Sequence, residues 1–461
     1  MRRTAFGYGL IVLLAMAQQV LAGPPTALDK YVAKPDAAYK WSLVKTIPGH
    51  SSTTYILDLT SQAWPKATNR KTWQHYLQVV VPTAATSHTA FLLIEGGHNA
   101  KVPTPPEKLD QITTTLAAQT NSIAVYLSTV PNEPLTFADE PENHSEDEII
   151  CYTFDKYMKT GDSSWIAYLP MVNSAIRAMD AVQAFVPTIA GGKYRVDDFV
   201  AAGGSKRGWT TWLATAVDPK SRVKAAIPAV ADLANLRQQI INHRKYYKDV
   251  SVGLVDGYSL AVKDYVHYDI FRRWLLPEGK PLLDIVDPVN YFDRPNMKVP
   301  KYLVNGADDE FYPPTSSQLY TGKLQGPWYV RYVPNAGHGL NLDAIQGIIN
   351  FYGAIKDGAP LPKFTSSIAS DGRAIVAKVV DPPAEVLLWQ ATNPKSHDFR
   401  LPIFGKHWTS SKLSDQGGGV YRAEISPPAT GATAALIELR YNVNHKPLKF
   451  TTGVSVLPKV K

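Results

Sequence analysis

With 461 residues, 45% hydrophobic and 19% charged, the composition is that of a folded globular protein and excludes a disordered one; the length allows two domains. The 48 Lys and Arg against 40 Asp and Glu leave a formal charge of +8, but the basic residues are scattered, which argues against a nucleic-acid partner. The single cysteine, Cys151, excludes an internal disulfide, and with no local Cys-His signature it reads as a packed side chain, not a nucleophile.

In chain order, Arg2 and Arg3 precede an apolar stretch at 10–17 and small residues at Val20-Leu21-Ala22. This is the pattern of a signal peptide cleaved after Ala22, and it predicts an exported, periplasmic or secreted protein. No later stretch is long and apolar enough for an integral membrane segment. Residues 40–47, 53–59 and 73–81 alternate like strands and follow one another without helices, which predicts antiparallel pairing at one edge of a sheet. Residues 90–94 form a continuous apolar run, expected as a strand buried on both faces, and they end in Glu95-Gly96-Gly97-His98-Asn99. A helix over 106–120 and a second buried strand over 122–126 follow. The polar loop 131–148 carries seven carboxylates.

Beyond it the pattern alternates between strand and helix, the signature of a parallel sheet. Helical periodicity covers 165–185, and strands are expected at 199–202, 223–228, 300–305 and 328–333, with a helix at 341–355. Residues 231–284 lack strand character and are rich in Tyr, His, Arg and Lys, which predicts a helical lid inserted into the sheet domain. From 364 to 458 short alternating runs are separated by Gly, Pro and Asn, with no helix evident. The expected architecture is an α/β-hydrolase domain over 23–359 and an immunoglobulin-like β-sandwich over 360–461.

The chemistry centres on Ala202-Gly203-Gly204-Ser205-Lys206-Arg207-Gly208-Trp209. A strand, a turn of small residues with serine at its tip and a helix form the context of a nucleophile elbow, although the usual G-x-S-x-G becomes G-x-S-x-x-G here. A serine nucleophile needs a base, and the base needs an orienting acid. In an α/β-hydrolase these follow in the order Ser, Asp, His. After the strand at 300–305 comes Gly306-Ala307-Asp308-Asp309, where spacing from the glycine favours Asp309, with Asp308 as the near alternative. After the strand at 328–333 comes Asn335-Ala336-Gly337-His338-Gly339, and a histidine between glycines on that loop fits the base. Of the other ten histidines, most lie outside any strand-end loop of the sheet and read as surface or lid residues. Oxyanion donors are expected from the amides of Lys206 and Gly97. The side chains of Arg207 and His98 are candidate substrate contacts. For the cations at 206 and 207 two readings stand: assistance to the oxyanion or substrate, or an ion pair with the acidic run Glu146-Asp147-Glu148. That run lacks EF-hand spacing, and neither a metal nor a cofactor is expected.

Residues 203–210, 305–311 and 331–338, strengthened by 131–137, 146–150, 169–171 and 177–180, resemble the PhoPQ-activated pathogenicity-related protein family. The resemblance implies an exported α/β-hydrolase-like protein with a C-terminal β domain, in a family associated with bacterial virulence regulation. The G-x-S-x-x-G spacing is also similar to that of glucuronoyl esterases, in which a cation next to the serine assists the oxyanion; Lys206 holds that place here. The expected function is a serine hydrolase acting on an ester or amide of a small-molecule, glycan or peptide substrate. The alternative is an exported binding or virulence-related signalling protein that keeps the hydrolase fold.

Overall fold

The computed structural model describes residues 24–460 except 101 and 249, so the expected signal peptide at 1–22 lies outside the described residues. The first helix, α1 (Ala27–Ala33), starts in a capping box between Thr26 and Asp29. The strands β1 (Lys40–Pro48), β2 (Ser52–Ala63) and β3 (Thr72–Pro82) then pair antiparallel. Next come β4 (Thr89–Ile94), α2 (Gln111–Thr120), β5 (Ala124–Leu127), α3 (Asp147–Thr160), α4 (Tyr168–Phe185), β6 (Asp198–Gly204), α5 (Lys206–Val217) and β7 (Val223–Ala229). β5 joins the edge meander by pairing antiparallel with β3. Along β4, Ala90, Leu92 and Ile94 enter one hydrophobic core while Phe91 and Leu93 enter another. With period two, a strand that is apolar at every position must be covered on both faces, which is why this run sits centrally.

Between β7 and the next sheet strand lie α6 (Leu236–Tyr247), a hairpin of two-residue strands β8 (Leu254–Val255) and β9 (Tyr258–Ser259), and the short helices α7 (Lys263–His267), α8 (Ile270–Leu275) and α9 (Lys280–Val286). The segment expected to be wholly helical therefore carries a small hairpin. The sheet resumes with β10 (Lys301–Gly306) and β11 (Trp328–Val333), followed by α10 (Leu342–Lys356). The strand order is β1-β2-β3-β5-β4-β6-β7-β10-β11, and every pairing from β5 to β11 is parallel. This is the strand order and polarity of an α/β-hydrolase sheet.

The remaining elements are β12 (Phe364–Ile368), β13 (Ala374–Val379), β14 (Glu385–Asn393), the four-residue α11 (Leu401–Phe404), β15 (Thr409–Lys412), β16 (Val420–Glu424), β17 (Ala432–Val443), β18 (Lys446–Thr451) and β19 (Ser455–Leu457). They lie in two sheets, but one of these is a continuation of the central sheet. β18 pairs antiparallel with β11 through Val330 and Thr451, and the order runs on through β17, β14 and β15. The other sheet, β12-β13-β16, shares a core with it: Ile375, Ala377 and Ala423 cluster with Ile437, Leu439 and Phe450. Asn350 of α10 donates to the Pro447 carbonyl at 2.8 Å, and Lys449 pairs with Asp343 at 2.8 Å, so sheet and polar contacts both cross the boundary expected at residue 360. Among the described residues no helix is long and apolar enough to cross a membrane.

Candidate active site

The elbow is built by glycines around a strained serine. Ser205 sits between β6 and α5 at φ 56°, ψ −126°, a conformation that costs an ordinary residue roughly 1–3 kcal/mol. Its amide donates to the Ala229 carbonyl on β7 at 2.9 Å, and its side chain makes no capping bond to α5. A Cβ on Gly203 would lie 2.6 Å from the Arg207 carbonyl oxygen. One on Gly208 would lie 2.6 Å from the Ala231 Cβ and 2.9 Å from the Gly203 oxygen. Gly208 thus supplies the close helix–strand approach, which explains why the motif works with its second glycine one place late. Every residue of α5 is buried. Its threonines tolerate this because Thr210, Thr211 and Thr215 each donate to the carbonyl four residues earlier, at 2.7–2.9 Å.

The two residues after the serine have different tasks. Arg207 donates through both terminal nitrogens to the Glu146 carboxylate at 2.8 and 2.9 Å, and through Nε to the Val130 carbonyl. Its guanidinium lies against Gly96, where a Cβ would come within 2.4 Å. Lys206 reaches the same Glu146 at 2.6 Å and Asp147 Oδ1 at 3.3 Å. Burial alone would raise the Glu146 pKa, but the two cations outweigh it and hold its carboxylate well below the usual range. Of the two readings left open for these cations, the ion pair is the one observed. Of the two candidate substrate contacts, Arg207 has its guanidinium engaged by Glu146 and Val130 and braces the turn, whereas the His98 side chain is mostly exposed, 3.8 Å from Glu133 and outside the lining of the cavity at Ser205.

The candidate acid and base meet. His338, on the loop after β11, has Nδ1 2.9 and 3.1 Å from the two oxygens of Asp309, on the loop after β10. Its amide donates to Glu310 at 2.9 Å, and its ring lies 4.1 Å from that of Phe311. Burial pulls the His338 pKa down, but the charge and hydrogen bond of Asp309, with Glu310 and Asp147, outweigh it and the net shift is upward. Its Nε2 is buried and has no hydrogen-bond partner. Asp308 is held apart: its carboxylate accepts from Trp408 Nε1 at 2.8 Å, and burial pushes its pKa up to about 7. Geometry thus assigns the histidine's partner, which spacing alone left between the two.

Gly97, the expected second oxyanion donor, follows β4, whose Ile94 is in register with Gly203 of β6; it has φ 122°. The Gly96-Gly97 turn therefore lies beside the elbow. Cys151 is buried on α3, and burial first, then Asp147, pushes its thiol pKa well up, so it is a packed neutral side chain.

Ser205 opens on a cavity of about 60 Å3 with Lys206 and Asp147 in its wall and a largely aromatic lining that includes Tyr168, Trp209, Phe271 and Trp274. Phe311, whose ring is tilted against that of His338, also lines it. Sequence reasoning missed Gln239 and His243 here, both on α6. His243 had been expected at the surface or in the lid; it is buried with neither ring nitrogen bonded. The clue was present in Gln239 and His243 one helical turn apart among apolar positions of α6. Trp209 was legible too, one turn after Ser205 on the elbow helix.

Sheet order, elbow and strand-end loops together define an α/β-hydrolase fold. Residues 28–400 match the model of the PhoPQ-activated pathogenicity-related proteins, and the chain belongs to that family. It is 33% identical, over 97% of its length and 93% of the relative's, to autocrine proliferation repressor protein A of Dictyostelium discoideum. Among solved structures it is similar to acetyl xylan esterase 1 of Thermoanaerobacterium sp., with 14% identity, TM-score 0.48, and coverage of 72% of this chain and 94% of that one. A glucuronoyl esterase from Solibacter usitatus matches with 12% identity, TM-score 0.44, and coverage of 70% and 87%.

Proposed function

We propose that the protein is an exported serine hydrolase that cleaves an ester or amide through an acyl-enzyme. The observation that carries this reading is His338: Nδ1 is held by Asp309 while the buried Nε2 has no partner. A buried nitrogen left unbonded costs roughly 1–3 kcal/mol, a cost that a general base recovers when it takes a proton from a nucleophile. Ser205 attacks the acyl carbon as its proton passes to His338 Nε2, and Asp309 stabilises the imidazolium through Nδ1. The amides of Lys206 and Gly97 receive the oxyanion, aided by the N-terminal end of α5. His338 then returns the proton to the leaving group, and water, deprotonated in turn by His338, releases the acid. The helices between β7 and β10 serve as a lid over the cavity.

A second reading has its own support in the relationship to a protein named as a proliferation repressor, which suggests an extracellular signal carried on this fold. One assay separates them. Hydrolysis of p-nitrophenyl esters and aminoacyl anilides by the mature protein is expected for at least one series, with activity lost in Ser205→Ala. A folded wild type that matches Ser205→Ala on every substrate contradicts the hydrolase reading.

A further inference from the structure

The cavity at Ser205 carries polar groups that its apolar walls do not explain. Gln239 and His243 lie one turn apart on α6, and both line the cavity and are more than nine-tenths buried. Among the described residues both nitrogens of His243 and Oε1 of Gln239 have no hydrogen-bond partner, whereas Gln239 Nε2 donates to the carbonyls of Ala234 and Ser316, each at 3.1 Å. That pair of bonds fixes the amide with Oε1 as the open acceptor. Burial, reinforced by Arg400, lowers the His243 pKa to about 3, so its ring is neutral and offers one donor and one acceptor. The two charged groups of the lining, Lys206 and Asp147, pair with each other, and Lys206 also pairs with Glu146, so the lining cation is already held by carboxylates. The remaining walls include the rings of Tyr265, Phe271 and Trp274.

A cavity of about 60 Å3 has room for more than a single water at roughly 10–15 Å3 each, and its aromatic walls suit a flat ring. We propose that this cavity receives a neutral, hydroxyl-bearing ring of the substrate, a hydroxyphenyl group in size and polarity, whose hydroxyl is paired by His243 and Gln239. The placement of that ring next to the scissile bond rests on the serine-hydrolase reading above. Aromatic walls pack the ring faces, while the hydroxyl donates to Gln239 Oε1 and accepts from the protonated nitrogen of His243. A site built to pair a hydroxyl discriminates against the analogue without it, because its own buried groups are then left unbonded.

The test separates binding from catalysis. Calorimetry with Ser205→Ala compares methyl 3-(4-hydroxyphenyl)propanoate with methyl 3-phenylpropanoate and methyl hexanoate. The hydroxylated ester is expected to bind about tenfold tighter than the phenyl ester. Adding His243→Phe should bring the two to near equality, and adding His243→Gln, which keeps a hydrogen-bonding side chain, should retain part of the preference even if the phenylalanine variant fails to fold. Equal or tighter binding of the phenyl ester, or binding of hexanoate alone, overturns the proposal. Reaction of the wild type with a fluorophosphonate reports on Ser205 separately, so a lost preference with labelling intact rejects the ring assignment and leaves the hydrolase reading standing.

Discussion

Two helices of this protein begin in the same strained way and to opposite ends. Ser205 starts α5 at φ 56°, ψ −126°, and Glu146 starts α3 at φ 57°, ψ −129°. Neither is glycine, and neither side chain caps its helix. The Glu146 carboxylate is fully engaged, with Arg207 on both oxygens and Lys206 on one. Ser205 keeps its hydroxyl at a cavity that Phe311, the neighbour of the His338 ring, also lines. Strain at Glu146 is returned as ion pairs that lock the elbow in place. Strain at Ser205 is met by a backbone bond to Ala229 and by no capping bond from the side chain, which leaves the hydroxyl at the cavity.

Substitutions should break this comparison in a definite order. The largest effects fall on turnover: Ser205→Ala should lower kcat on an activated ester about 10^6-fold, and Asp309→Asn, which removes the charge that stabilises the imidazolium and favours the wrong tautomer, about 10^4-fold. Asp308→Asn is the control. Its carboxyl bonds Trp408 and not His338, and kcat should stay within about threefold, because an amide can still accept that bond and none of its contacts touch the reacting atoms.

Stability should separate the two helix starts by sign. Ser205→Gly relieves a left-handed residue and should raise the urea unfolding free energy by about 1 kcal/mol while abolishing turnover. Glu146→Gly relieves the same backbone strain but takes the carboxylate from buried Arg207 and leaves Lys206 with Asp147 alone. It should lower stability by about 2 kcal/mol, less than for a fully buried pair because the Glu146 side chain is 45% exposed. If Glu146→Gly stabilises the protein, the brace is not one.

A smaller effect lies in pH. The His338 pKa is raised in the folded protein, so the base is protonated and inactive up to a pH above the ordinary histidine value of about 6.5. The acid limb of kcat/KM should fall above that value in wild type. In Asp309→Asn burial dominates, and the limb should move to lower pH. The stability conferred by the pair has the opposite sense: it is complete below about 6.5 and is lost as pH rises through the folded value. Turnover should therefore rise over the same window in which this contribution fades.

Much of the site was legible because its parts are local. A strand, a glycine turn and a functional side chain lie within a few residues of one another at Ser205, Asp309 and His338, and parallel strands bring their carboxyl ends to one edge of the sheet. Partner choice was not legible. Asp308 and Asp309 are neighbours in sequence, and only the fold of the loop decides which faces His338 and which faces Trp408. Arg207 could bind substrate or Glu146, and the positive φ at Glu146 that aims its carboxylate leaves no trace in the residue type. The C-terminal strands were visible as alternation, but period two identifies a strand and not its neighbour, so the join of β18 to β11 through Thr451 and Val330 was out of reach. His243 was missed because a polar residue on a helix reads as solvated until packing buries it.

The central claim is that Ser205 is a nucleophile activated by His338 and Asp309, and covalent labelling tests it most directly. Mature protein treated with a fluorophosphonate at neutral pH and mapped by peptide mass should carry a single adduct on Ser205. The adduct should be absent from Ser205→Ala and form far more slowly in Asp309→Asn. Folded wild type that stays unlabelled, or that carries the adduct on another residue, contradicts the account.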